Sequence, residues 1–221
     1  MKPSSALTIL FIAAASTCSI STPSRAADSG WSVVAHAGSS TIDDQSPIIA
    51  NSAGLTDGPA QVTLDAGFTA GLGVRYDYEN SPWVSELGWE YRSNDAQTST
   101  ADSTLPGGNY ASNIFYINAR YQIKTGHAIS PWLGAGITWE QEIDLDSEGA
   151  DGELSFSDGG STGVQFLLGA DYDLSDRIYL SGEIRYANTS GISLSQEDGA
   201  GEIRNLDYQP LTLAIGLGYR F

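Results

Sequence analysis

The sequence predicts an all-β fold, an eight-stranded antiparallel up-and-down barrel, and three observations carry that expectation. Apolar residues alternate with small or polar ones in eight separate segments, with no helical period between them. The connectors between those segments run alternately long and short, the spacing of hairpins that share one long-loop end and one tight-turn end. The composition agrees: 25 Gly and 22 aromatics stand in 221 residues of which only 17% are charged, which excludes a disordered chain.

The last segment is the clearest. Leu211, Leu213, Ile215, Leu217, Tyr219 and Phe221 alternate with Thr212, Ala214, Gly216, Gly218 and Arg220. A helix would scatter those six apolar side chains around its circumference, whereas a strand puts all of them on one face. The first segment, Trp31, Val33, Ala35 and Ala37, shows the same period, blurred by Val34. Leu64 to Tyr76 follows, with Gly67, Gly71, Gly73 and Arg75 interleaved, and then Trp83, Leu87, Trp89 and Tyr91 against Glu86, Gly88, Glu90 and Arg92. The fourth segment opposes Phe115, Ile117, Ala119, Tyr121 and Ile123 to Tyr116, Asn118, Arg120 and Gln122. The fifth opposes Leu133, Ala135, Ile137 and Trp139 to Gly134, Gly136, Thr138 and Glu140. Val164 to Tyr172 and Leu180 to Tyr186 complete the eight, the latter with Ser181, Glu183 and Arg185 on its other face. Long loops are expected at about 40–61, 93–109, 144–161 and 188–207, and tight turns at 79–81, 124–130 and 173–177.

Residues 1–26 read as a secretory signal peptide rather than part of the fold. Lys2 starts it, the apolar run Ala6 to Ala15 forms its core, and Ser24-Arg25-Ala26 offers small residues at the cleavage positions. Cys18, the only cysteine, lies inside this segment, and Thr17 before it is a poor match to lipoprotein processing. Cleavage after Ala26 leaves a thiol-free chain with 8 basic and 27 acidic residues, so disulfides do not stabilise it. The strongly acidic balance excludes a nucleic-acid binder, because phosphates demand a basic surface. No apolar run reaches the ~18 residues of a spanning helix.

Two barrels fit the alternation: a soluble one with apolar residues inward, and a transmembrane one with apolar residues outward. The faces opposite the apolar ones carry Gly and isolated charges of both signs, and Lys124, in a turn, is the only lysine after Lys2. Aromatics gather at strand ends, with Tyr76, Tyr78, Trp83, Tyr121, Tyr172 and Tyr219 by the short turns and Tyr91, Trp139 and Tyr186 toward the long loops. Alternation lasts about 9–11 residues, enough to cross a ~25 Å apolar band when tilted. The expectation is therefore a transmembrane β-barrel domain over residues 28–221.

A signal peptide followed by eight alternating strands ending in Gly216-Leu217-Gly218-Tyr219-Arg220-Phe221 resembles the small outer-membrane β-barrel proteins of Gram-negative bacteria. Within that family it is similar to the OmpA transmembrane domain, OmpX and the opacity-protein-like barrels. The resemblance implies residence in the outer membrane, contact with lipid and lipopolysaccharide, and recognition of Tyr219 and Phe221 by the outer-membrane assembly machinery. No periplasmic domain follows the last strand here, so no cell-wall tethering carries over.

Eight strands leave an interior about filled by side chains, whereas a water-filled channel needs roughly 16. Interior charges then need partners. An arginine–carboxylate network is expected from Glu86, Glu90, Arg92, Arg120, Glu140, Glu183, Arg185 and Arg220, acting as a polar plug that sets register. The long loops hold fifteen acids against Arg204, which suggests either cation binding or simple solubility. Asp144-Leu-Asp146-Ser-Glu148-Gly149 resembles the opening of a calcium loop, with Asp144, Asp146, Glu148 and Asp151 as candidate ligands. Its twelfth position is Ser155 rather than an acid, and no helices flank it, so a flexible acidic loop is expected.

A lipid-modifying hydrolase of the deacylase kind would need a histidine beside a serine at the bilayer edge. Only His36, near Ser39 and Ser40, and His127, in a short turn, are available. Neither has signature spacing. The expectation is a non-enzymatic barrel with a structural or surface-interaction role through acidic loops, without catalytic residues or cofactor. A lipid-modifying hydrolase and a carrier of small hydrophobic molecules are the alternatives, the carrier disfavoured by the charged inner faces.

Overall fold

The computed structural model describes residues 30–52, 55–105, 107–149 and 152–221. The expected signal peptide lies outside the described residues. Eight long strands close into a barrel: β1 (Gly30–Thr41), β2 (Gly67–Asp77), β3 (Trp83–Ser99), β4 (Gly108–Gln122), β5 (Ile129–Gly149), β6 (Ser161–Asp173), β7 (Ile178–Gln196) and β8 (Leu211–Arg220). Each pairs antiparallel with its neighbours in sequence, and β8 returns to pair with β1, so the sheet has no free edge at this level.

The pleat sorts residues as the alternation requires. Leu72, Ala35, Leu217 and Leu180 stand in one cross-strand row on the outer face. The row beside it, Gly73, Val34, Gly218 and Tyr179, faces the lumen. Ile215 is 70% exposed and Ile117 and Ile137 64%, whereas Glu86, Glu90, Arg92, Arg120 and Arg185 are buried. A one-residue slip would exchange the two sets, and a basic residue at a bilayer midplane costs about 2–4 kcal/mol, so register is strongly specified.

Outer-face aromatics form two belts. Trp31–Tyr76, Tyr76–Tyr78, Trp83–Tyr121 and Tyr219–Phe221 contact one another at the short-turn end, with ring centroids 4.9–5.6 Å apart. Phe68–Tyr91 and Phe115–Trp139 do so toward the other end, at 5.8 and 5.9 Å. From Trp83 to Tyr91 is about 26 Å of strand, or about 20 Å of membrane at a barrel's usual tilt.

Three of the four expected long loops are instead largely strand. β3, β5 and β7 run well past the outer aromatic belt, and Gly152–Asp158 and Glu202–Tyr208 fold back on β5 and β7. The connector after β1 contributes the short strands Ile48–Ala50, Gly58–Pro59 and Gln61–Leu64 to the same extension. Its interior is apolar: Ile49, Val62, Tyr110, Ile143, Leu145, Phe156, Ile192, Leu194, Ile203 and Leu206 pack into one core. The sequence reading places acidic loops here, and the structure places a second, apolar core within them.

Two bulges explain how those residues turn inward. Along β5 the inner face runs Trp132, Gly134, Gly136, Thr138 and Glu140, which would leave Ile143 and Leu145 on the lipid-facing side with Trp139. Between Asn113 and Ile114 of β4 the register shifts, leaving Gln141 as an extra residue on β5, and the phase inverts. Ile143 and Leu145 then point in, and Glu142, Asp144, Asp146 and Glu148 lie on the opposite, outer face. β7 repeats the device between Thr189 and Ile192, where Gly191 takes φ +73°. Beyond it Ile192 and Leu194 face inward.

Candidate functional site

The lumen of the membrane-spanning segment is the site that carries chemistry, and its charges fall into two clusters. At the short-turn end Glu86 is the hub. Its Oε2 accepts from Arg75 Nε and, at 2.7 Å, from Arg120 Nη1, while Asn118 Nδ2 donates to Oε1 at 3.0 Å. Asp171 on β6 lies 3.6 Å from Arg75 and 3.5 Å from Arg120. It also accepts from Trp132 Nε1 at 3.2 Å and Ser181 Oγ at 2.7 Å. The Arg120 guanidinium sits 3.3 Å over the Trp132 ring, a cation–π contact in a site closed to water.

Glu90 is the hub of the second cluster. Arg92 donates to its Oε1, and Arg185 Nη1 and His36 Nε2 approach its Oε2 at 2.6 and 2.9 Å. Arg185 also reaches Glu183 and lies 4.8 Å over the Tyr116 ring. Arg92 Nη1 donates to the Tyr208 hydroxyl at 3.4 Å, tying this cluster to the apolar core above it.

Six of the eight residues expected in the network therefore meet carboxylate or guanidinium partners in these clusters. Arg220 does not join them: it pairs with Asp173 at 2.7 Å on the short-turn rim and covers the Tyr179 ring at 4.4 Å. Glu140 meets Thr189 Oγ1 at 3.0 Å and no basic side chain among the described residues. Arg75, Asp171, His36 and Trp132 belong to the clusters although the expected set omitted them. Parity along the strand identifies all four, since each is an inner-face neighbour of an outward apolar residue. Closed clusters of this kind contribute little net stability compared with an apolar filling, but they penalise any register that separates the partners.

Inner glycines make room for inner aromatics. A Cβ on Gly218 would stand 2.0 Å from the Tyr179 ring, and one on Gly169 2.4 Å from Trp132. These glycines are therefore packing positions, which ties the lumen's glycine content to its bulky rings.

The proposed calcium segment is a hairpin rather than a flexible loop. Asp144, Asp146 and Glu148 alternate along β5, paired with Gly152–Asp158, so their Cα atoms stand about 7 Å apart instead of converging. Ser155, at the position of the missing twelfth ligand, pairs with Asp146 and donates to its Oδ1 at 2.6 Å. Asp151 lies outside the described residues. Burial, then the negative neighbours Glu142, Asp146 and Glu197, pushes the Asp144 carboxyl up to about 6. Because it lies above the unfolded value, the folded hairpin holds its proton more tightly, and stability falls as pH rises from about 4 through 6. Hydrogen exchange corrected for intrinsic rate is expected to show residues 143–158 better protected at pH 5 than at pH 7.5, a difference that Asp144→Asn removes.

Neither histidine meets the needs of a hydrolase. His36 faces the lumen, and since a carboxylate only accepts, its Nε2 hydrogen is committed to Glu90. Ser39 faces outward and bonds Gly67 O, and Ser40 stands four residues along the inner face, about 13 Å away. His127 is exposed in the turn between β4 and β5.

A closed barrel with an apolar outer band, two aromatic belts and a charge-paired lumen defines a small transmembrane β-barrel. The chain belongs to the outer membrane protein beta-barrel domain family, whose family model matches residues 10–221, and its place is the outer membrane of a Gram-negative envelope. Outer membrane protein OprG from Pseudomonas aeruginosa shares the fold at 18% identity and a TM-score of 0.61, the match covering 87% of this chain and 97% of that one. A major outer membrane protein from Thermus thermophilus does so at 14% identity and 0.60, covering 88% and 100%. Neisserial surface protein A follows at 17% identity and 0.52, covering 87% and 97%. No curated relative matches the sequence.

Proposed function

We propose that this protein is a non-enzymatic outer-membrane barrel with an occluded lumen, acting in envelope structure and surface interaction through its acidic extracellular extension. The observation that carries this reading is the stacking of two arginine–carboxylate clusters beneath an apolar core. The acids of the extension line its outer face, where divalent ions would bridge them to lipopolysaccharide phosphates. Reconstitution in planar bilayers tests the occlusion: no conductance steps are expected from the wild type, and a stable open level would overturn it. Incubation with lipopolysaccharide is expected to leave lipid A unchanged by mass spectrometry.

The apolar core of the extension supports a second reading, carriage of small hydrophobic molecules, which the charged inner faces of the sequence disfavoured. Saturable binding of a fluorescent apolar probe, reduced by Phe156→Asp, would support it over the first.

Tyr219 and Phe221 form an exposed aromatic pair at the end of the chain, with the Phe221 amide bonded to Trp31 O. We read this pair as the contact for the assembly machinery. Deleting Phe221 is expected to lower the folded, protease-protected fraction in outer membranes while unassisted refolding in detergent is retained.

A further inference from the structure

Among the described residues, four arginines serve four of the five carboxylates buried inside the barrel: Glu86, Asp171, Glu90 and Glu183. Glu140 is the fifth, fully buried on β5 and left without a basic partner among those residues. Its Oε1 accepts from Thr189 Oγ1, and its Oε2 has no hydrogen-bond partner. The Thr138 hydroxyl is likewise buried and without a hydrogen-bond partner.

These oxygens share one patch of wall. Thr138 and Glu140 are successive inner-face residues of β5, and Thr138 pairs with Gly163 on β6. Gly163 lets the two hydroxyls close in on it: a Cβ there would stand 2.0 Å from Thr189 Oγ1 and 2.8 Å from Thr138 Oγ1. Those two hydroxyl oxygens therefore lie within about 5 Å of each other, on either side of a position without a side chain.

We propose that this patch is a binding site for a hard cation, held by Glu140 with Thr138 and Thr189. A lone buried carboxylate is costly, and a bound cation neutralises it. An all-oxygen donor set with no thiolate or imidazole suits hard ions such as sodium or calcium rather than transition metals. One uncompensated negative charge matches a monovalent ion, so sodium is the ion expected.

The test is urea unfolding of the full refolded barrel at fixed pH, in sodium chloride and in choline chloride of equal ionic strength. Sodium is expected to raise the midpoint, with the folding constant growing about tenfold for each tenfold rise in sodium above its Kd. Glu140→Gln is expected to abolish the difference, as is Thr189→Val, which serves if the first variant does not refold. Glu148→Gln, on the exposed outer face, is expected to keep it. Equal wild-type midpoints in the two salts would overturn the site, leaving Glu140 protonated or hydrated. A sodium effect surviving in both site variants would overturn it too, by placing the ion elsewhere.

Discussion

Glu86→Ala is expected to cost about 3–5 kcal/mol, the range for leaving a buried charge without its partner. The substitution strips Arg75 and Arg120 of their shared acceptor at once, and Asp171 alone, at 3.5–3.6 Å, then faces both guanidinium groups. Arg120→Ala is expected to cost less. Glu86 keeps Arg75 and Asn118, and the loss is the ion pairs to Glu86 and Asp171 together with the stacking on Trp132. Heat-modifiable gel migration and urea midpoints in detergent measure both. Equal midpoints for wild type and Glu86→Ala would mean that the cluster is not closed as described.

Gly218→Val is expected to prevent or severely slow barrel closure. The position lies on β8 beside the β1 seam, and even a single Cβ would meet the Tyr179 ring at 2.0 Å. That ring has nowhere to retreat: its hydroxyl takes a bond from Arg75 at 3.1 Å, and Arg220 covers its face. Overpacking in a close-packed interior costs typically ~1–3 kcal/mol, and a clash with three atoms of one pinned ring belongs at the top of that range. The contact makes a specific demand on a double variant. Tyr179→Ala combined with Gly218→Val is expected to refold better than Gly218→Val alone, a coupling that additive effects would not produce.

The eight membrane-crossing strands and their facing were legible in the alternation itself. Period two admits only two registers for each strand, and a bilayer rejects the one that turns Glu86, Glu90 or Arg120 toward lipid. The lumen's charges follow from the same parity, including Arg75 and Asp171, which a stricter application of it would have added to the network.

Which arginine meets which carboxylate was not legible, because the pairs join residues as distant in sequence as Glu90 and Arg185. Only barrel closure brings those strands to a common level. The extension beyond the outer aromatic belt was hidden for another reason. Gln141 on β5 and the Ser190-Gly191 pair on β7 shift the phase by one residue, so a period read straight through aims Ile143, Leu145, Ile192 and Leu194 at the wrong side. In the sequence such a slip looks like the end of a strand and the start of a loop. The pairing of the neighbouring strands turns it into a bulge, and that bulge directs the same apolar side chains into a second core.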